Sequence, residues 1–409
     1  MGLVTSTTRP TLAVICNSLP PYRVHVQERL ARELDVNLFS LVTHEGTDRR
    51  WKFNPPPGIN PVSFGLDRAG CGHWFNLAAY RKGGEVIEWL RANRADCVVI
   101  FGYSDATRVR VIRWCHRNGV PCFVWGDSNI LGDRATGAKA AAKEWFVSTV
   151  LSWCTGALAC GQRGVAYFEK YGVPRERIFL FPNEPDYELI RRVSDESLDA
   201  VKQRYRLARG RRRMIYSGRL TQVKRVDLLI DAFAAVANER SEWDLIIAGD
   251  GELKLSLQAR VPADLKDRII WTGFLDDQQA LSAFYRLSDV LVLPSDFEPW
   301  ALVINEAAAA GLAIVSSSVV GAVPELVQDG VNGRLFEPGD LESLKRALLD
   351  TTMSGKLEQY KSASSIVLEN WRKVSDPVNG LKQALKFASR NSATQAARPP
   401  APSKVVSEV

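Results

Sequence analysis

The stretch DVLVLPSDFEPWALVINEAAAAGLAIVSS, Asp289–Ser317, decides the fold. It opens on a branched apolar run that reads as a buried strand and breaks at Pro294. Pro299 then suits the first turn of a helix, where its missing N–H is not needed. Trp300–Ala310 reads as that helix, and Gly311 supplies a left-handed stop. A second apolar run, LAIVSS (Leu312–Ser317), follows at once. Both runs lack polar alternation, which points to a parallel sheet covered on both faces.

The same alternation extends outward in both directions. Upstream lie MIYSG (Met214–Gly218), DLIIAG (Asp244–Gly249) and RIIWTG (Arg268–Gly273), separated by helical segments. Further back the pattern has already run once, through TLAVIC (Thr11–Cys16), VNLFSLVT (Val36–Thr43), CVVIF (Cys97–Phe101), PCFVW (Pro121–Trp125), GALAC (Gly156–Cys160) and RIFLF (Arg177–Phe181). Alternating strands and helices predict doubly wound α/β architecture. The Pro- and charge-rich stretch Pro182–Ser197 separates the two runs. We therefore expect a Rossmann-like domain over 1–188, a second over 189–372, a C-terminal helix over 373–390 packing back toward the first, and a disordered tail over 391–409. Ligands of such sheets sit at the strands' carboxyl ends, so two sheets facing each other make a cleft for two substrates.

The bulk composition excludes other classes. The chain has 409 residues, 46% hydrophobic and 24% charged, which is neither disordered nor collagen-like. The net charge of +7 is mild. Met1–Ile190 carries 23 Lys and Arg against 18 Asp and Glu, so most of the excess lies in the first half. That is too little clustering for nucleic acid, and it leaves open a weak attraction to an anionic membrane surface. Seven cysteines, odd in number and with no CxxC pair, read as reduced, mostly buried thiols. Four unclustered histidines give no zinc site, and no metal is expected. We find no signal-peptide pattern in Met1–Pro10 and no apolar run long enough to span a membrane. The expected location is cytoplasmic, with the inner membrane surface open through the helix KAAAKEWFVSTVLSWC (Lys139–Cys154). That helix reads either as interfacial or as packed on the first sheet.

Several residues could carry chemistry. The first-turn amides of Trp300, Ala301 and Leu302 would form an anion site at a strand's carboxyl end. Glu298 stands at its mouth, and Glu306, eight residues on, lies only about 80° round the helix. Arg219 and Lys224 follow the strand MIYSG, where two cations could bind a diphosphate. Gly218, Gly249 and Gly251 lie in turns at strand ends, and Phe274 and Leu275 follow RIIWTG. In the first half, Tyr22, Arg23 and His25 follow the first strand, Tyr103 follows CVVIF, and Asp127 follows PCFVW. Each of these also has a plain reading as a cap, turn or surface residue.

The setting E-P-W-A-L-V-I-N-E-A-A-A-A-G around Glu298 and Glu306 resembles the signature of the retaining GT-B glycosyltransferases of family 4, also called glycosyl transferases group 1. The stretch S-G-R-L-T-Q-V-K-R-V-D from Ser217, the turn Gly249–Glu252, and Phe181–Asp186 resemble further family segments. The likeness is good over about 160–350 and only architectural before it. It implies a GT-B fold and transfer of a sugar, hexosyl in type, from a nucleotide-sugar donor, UDP-linked by expectation. The acceptor would be a glycan, a lipid-linked sugar or a small molecule. It implies that Glu298, Arg219, Lys224 and Asp127 serve catalysis, and that Glu306 holds the ribose. Gly218, Gly249, Gly251, Phe274, Leu275, Trp300, Ala301 and Leu302 would line the donor, and Tyr22, Arg23, His25 and Tyr103 the acceptor. It also implies front-face displacement with no metal and no cofactor beyond the co-substrate. The chain departs from the pattern at Ala301, where the family has Gly, and in a first loop without a Gly pair. A non-catalytic nucleotide-sugar-binding protein and a nicotinamide-dependent oxidoreductase are the alternatives. The second would need a G-x-G-x-x-G turn, absent after TLAVIC and MIYSG.

Overall fold

The computed structural model describes residues 9–43, 56, 58–65 and 77–396. Within them the first half forms β1 (Thr11–Cys16), β2 (Asn37–Val42), β3 (Pro61–Ser63), β4 (Cys97–Phe101), β5 (Cys122–Gly126), β6 (Gly156–Ala159) and β7 (Ile178–Leu180). These strands form one sheet in the order β3-β2-β1-β4-β5-β6-β7. The second half forms β8 (Arg212–Ser217), β9 (Trp243–Ala248), β10 (Ile269–Gly273), β11 (Val290–Leu293), β12 (Ala313–Ser317) and β13 (Gly333–Phe336). Their order is β10-β9-β8-β11-β12-β13. Every ladder is parallel. This is the GT-B arrangement of two doubly wound α/β domains. Strand order reverses between β1 and β4 in one sheet and between β8 and β11 in the other, so each domain has its crevice there.

The apolar runs of the sequence become the buried strands because each is covered on both faces. Ala13, Ile15, Val98, Ile100 and Val124 pack under one helical layer, and Leu12, Val14, Val99 and Phe123 under the other. Fully burying one such side chain contributes roughly 1.5–3 kcal/mol. The six described cysteines, Cys16, Cys97, Cys115, Cys122, Cys154 and Cys160, are all buried and unbridged, and Cys71 lies outside the described residues. No helix among the described residues is long and apolar enough to cross a membrane. The helix Gly137–Ser152 packs Val147, Val150 and Leu151 inward, but its N-terminal half is largely exposed and Trp145 is 72% exposed.

The chain crosses between the domains twice. The first crossing follows Phe181, and the second lies between the helices Lys356–Val374 and Pro377–Ala396. The last helix returns to the first domain so closely that a Cβ on Gly380 would stand 1.7 Å from Leu180 O. It runs to Ala396, beyond the Asn391 at which the tail was expected to begin, and 397–409 lie outside the described residues. Arg29, on the helix Pro21–Glu33, joins both crossings: Nη1 donates to Glu184 Oε1 (2.7 Å) and Nη2 pairs with Asp376 Oδ2 (2.9 Å).

Candidate functional site

Two loops meet at the crevice of the second sheet. The first leaves β8 through Gly218, Arg219 and Lys224, and the second leaves β11 through Ser295, Glu298 and Trp300. Lys224 Nζ donates to Glu298 Oε1, which also accepts from Ser295 Oγ at 2.8 Å. The Lys224 side chain is 16% exposed and that of Glu298 8%. Arg219 is exposed and its guanidinium has no partner among the described residues, so it is free to meet an anion. Tyr216 Oη donates to Arg219 O (2.8 Å) and fixes the backbone from which that side chain leaves.

Glu306 is buried on the helix Leu302–Ala310 and accepts from Tyr285 Oη at 2.7 Å. Burial pushes its carboxyl above the usual range, and the bonds from Tyr285 and Gln278 offset only part of that. A buried acceptor of this kind is suited to hydroxyl donors, since a neutral partner returns hydrogen bonds lost on leaving water.

The three glycines do something more specific than line a ligand. A Cβ on Gly249 would stand 1.8 Å from Gly218 O, and one on Gly251 would stand 2.4 Å from Leu220 O. Leu220 N donates to Asp250 O (3.0 Å), so the turn after β9 is nested on the turn after β8. Phe274 is 37% exposed and Leu275 is partly buried on the core, just past β10.

The helix after β11 begins later than the sequence suggested. It starts at Leu302, not Trp300, and Pro299 lies outside its first turn. The carbonyls before it are drawn sideways: Gly321 N donates to Glu298 O (3.1 Å) and Ala322 N to Trp300 O (2.8 Å). Ala301 caps the helix at φ 79°, ψ 78°, a left-handed position for a residue with a Cβ. Trp300 is a junction residue instead of a first-turn amide. Its ring stacks on Trp371 (5.7 Å), and its Nε1 donates to Asn305 Oδ1 (3.0 Å). Asn305 Nδ2 in turn donates to Tyr187 Oη (3.0 Å).

The first domain contributes across the interface. Asp127, at the carboxyl end of β5, lines one narrow crevice with Cys160, Gly161, Trp300 and Gly321. Asn129, buried, donates through Nδ2 to Glu298 O (3.0 Å) and Pro299 O (2.9 Å). Arg163 donates to Val320 O (2.7 Å) and Ser318 O (2.9 Å), and Glu325 Oε1 accepts from Gln162 N (2.6 Å). Sequence reading singled out none of Asn129, Arg163 or Glu325, because their partners are more than 150 residues away.

The four acceptor candidates do not converge. Tyr22 and Arg23 lie at the β1/β4 crevice, with the Arg23 guanidinium 5.0 Å from the Phe101 ring and 5.8 Å from that of Trp125. His25 faces the first crossing instead, with Nε2 3.5 Å from Glu184 Oε1 and Nδ1 3.9 Å from Asp186 Oδ2. The Tyr103 hydroxyl is hydrogen-bonded to that of Tyr167 (2.7 Å), and burial pushes its pKa up. Nearby, Asp133 accepts from Lys143 (2.7 Å), Lys170 (2.5 Å) and Tyr171 (2.7 Å). Burial opposes its charge, but these bonds win and hold its carboxyl well below the usual range. Among the described residues no group of three or more His, Cys, Asp or Glu is placed to hold a metal ion.

Comparison with known proteins places this geometry. Residues 199–364 match the family model for glycosyl transferases group 1. Over 176 residues the chain is 33% identical to the N-acetyl-alpha-D-glucosaminyl L-malate synthase of Bacillus anthracis, covering 40% of this chain and 45% of that protein. Over 213 residues it is 30% identical to the lipopolysaccharide 1,2-N-acetylglucosaminetransferase of Salmonella typhimurium, covering 48% and 54%. The chain thus spans about half the length of the curated relatives it matches. Its fold superposes on Anabaena HepE, solved with UDP and glucose, with a TM-score of 0.68 at 16% identity over 95% of this chain and 100% of that one. The stretch that holds Arg219, Lys224, Glu298 and Glu306 is therefore the part of the chain that matches glycosyl transferases group 1, set in a two-domain GT-B fold.

Proposed function

We propose that the protein is a retaining glycosyltransferase of family 4, moving a sugar from a nucleotide-diphosphate sugar to a hydroxyl acceptor. The observation that carries the reading is the Lys224–Glu298 pair joining the loops that leave β8 and β11 at the switch point, with Arg219 exposed on the β8 loop and Glu306 on the helix that follows the β11 loop. Arg219 and Lys224 meet the diphosphate and neutralise the charge that grows on it as the sugar departs. Glu306 accepts from the ribose hydroxyls. Glu298, already turned toward Lys224 and Ser295, accepts from sugar hydroxyls and fixes the ring. The bond from the anomeric carbon to the phosphate oxygen breaks while a bond to the acceptor oxygen forms on the same face. The acceptor's proton passes to the departing phosphate. No metal is expected to be required, since Arg219 and Lys224 would supply the positive charge that the phosphates need.

A UDP-linked donor is the first to test, because the neighbouring HepE structure holds UDP and glucose. The acceptor belongs to the first domain, near Tyr22 and Arg23. A lipid-linked acceptor at an anionic cytoplasmic membrane surface is supported by the helical face around Trp145. On the helix Ala106–Asn118, Arg113 and Arg117 are exposed, and the Arg113 guanidinium lies 5.5 Å from the Trp153 ring. Calorimetric titration with UDP, GDP and ADP sugars, followed by assay of donor hydrolysis, tests the reading. Binding and slow hydrolysis of one donor are expected. Failure to bind any nucleotide diphosphate, or binding without turnover with any acceptor, defeats it.

A further inference from the structure

We infer that Asn129 is a positioning residue for the donor loop: the first domain sets the backbone of Glu298 and Pro299, so the sugar-binding carboxylate takes its place only when the domains touch. This rests on the glycosyltransferase reading above for its kinetic consequence, and on geometry alone for its structural one. The Asn129 side chain is 3% exposed and uses both of its ends. Its Oδ1 accepts from Leu131 N (3.0 Å) and Gly132 N (3.1 Å), which caps its own loop. Its Nδ2 reaches across the interface to Glu298 O and Pro299 O. An amide is the side chain that can accept on one end and donate twice on the other. Among the described residues, Asn129 is the hydrogen-bond donor to Pro299 O. The neighbourhood leaves little room for the loop to settle elsewhere. A Cβ on Gly132 would stand 2.5 Å from the Phe297 ring, and one on Gly321 would stand 1.9 Å from Pro299 O. The loop from Phe297 to Ala301 is thus held between Gly132 and Asn129 on one side and Gly321 on the other. It ends on the left-handed Ala301, a conformation that persists only where its surroundings enforce it.

The chemistry follows from where the bonds fall. They hold the peptide of the residue that carries the candidate sugar carboxylate, and they touch neither the phosphate cations nor Glu306. Losing them releases the sugar and leaves the nucleotide held. Asn129→Asp isolates the effect. It keeps an oxygen for the Leu131 and Gly132 amides but cannot donate to the two carbonyls.

The experiment compares wild type, Asn129→Asp and Asn129→Ala in the full chain. Hydrogen exchange of the Gly321 and Ala322 amides, which bond to Glu298 O and Trp300 O, should quicken at least tenfold in both variants. Unchanged exchange overturns the proposal whether or not the protein proves to be an enzyme. With a donor in hand, kcat should fall at least tenfold while the Kd for the free nucleotide diphosphate changes less than threefold. Equal weakening of nucleotide binding would indicate a merely structural role and overturns it too. Wild type that binds no nucleotide, with quickened exchange in the variants, defeats the glycosyltransferase reading and leaves the positioning of the loop standing.

Discussion

Removing Lys224 tests whether the pair it forms with Glu298 organises the site or only decorates it. Lys224→Met keeps the apolar stem and deletes the charge, leaving a carboxylate whose side chain is 8% exposed. Breaking a fully buried pair from one side costs about 3–5 kcal/mol. Here Lys224 is 16% exposed and Ser295 Oγ stays at 2.8 Å from the stranded oxygen, so the expected cost falls below that range, at about 2–3 kcal/mol. Glu298→Gln strands an ammonium that can turn to water, at about 1–2 kcal/mol. The double variant leaves two neutral groups and should lose about 1 kcal/mol, which makes the coupling about 2–4 kcal/mol. Arg219→Ala, removing an exposed and unpartnered guanidinium, should stay within about 0.5 kcal/mol of wild type. Urea unfolding followed by tryptophan fluorescence measures all four. For a domain of this size the Lys224→Met loss corresponds to a fall in Tm of about 5–10 °C. A coupling below about 0.5 kcal/mol would refute the reasoning, because the two groups would then ignore each other in solution. Donor affinity separates the roles again: Arg219→Ala should weaken it while leaving stability intact.

Three further outcomes follow from the same structure. Glu306 has its carboxyl pKa raised in the fold, chiefly by burial, so its contribution to stability is complete below about pH 4 and is lost as pH rises through the raised value. Glu306→Gln should therefore melt higher than wild type at pH 7.5, lose that advantage by pH 4, and bind nucleoside diphosphate more weakly; a lower melting point at pH 7.5 would count against it. Ala301→Gly relieves a left-handed Cβ worth about 1–2 kcal/mol and gives back about 0.4–1 kcal/mol in unfolded-chain entropy, for a net gain of about 1 kcal/mol in urea unfolding. A net loss would mean that the Ala301 methyl packs better than its backbone angle suggests. Wild type should sediment with vesicles containing phosphatidylglycerol at low salt, and Trp145→Ser and Arg113→Glu should each reduce this at least threefold. Equal recovery with neutral vesicles would argue against an anionic surface.

Much of the fold was legible because burial on both faces leaves a plain mark. TLAVIC and CVVIF coincide with β1 and β4 to the residue, and the Asp289–Ser317 stretch contains β11, a helix and β12. Two short edge strands left no such mark. Pro61–Ser63 and Gly333–Phe336 are three and four residues long and carry polar or half-buried positions, so β3 and β13 were not foreseen as strands. The candidate carboxylates and cations could be read from spacing along one chain segment. What spacing could not give was their arrangement. The late helix start at Leu302 is imposed by Asn129, Gly321 and Ala322, and no local propensity near Pro299 reports on partners that distant or on the other side of a β-strand. His25 was placed by topology alone, and the side of the helix it occupies depends on Glu184 in the crossing segment.

The Arg29 clamp has a kinetic meaning. Two covalent links, gripped at neighbouring points by one guanidinium, behave as a hinge with two pins. Bending about the line between the pins stays soft, while twisting and sliding of one half over the other are suppressed. The halves then search one angle instead of a volume. In the transferase proposed above, each closure after product release would return the two faces to the same register, with the entropy of finding it settled when the chain folds and not at every turnover.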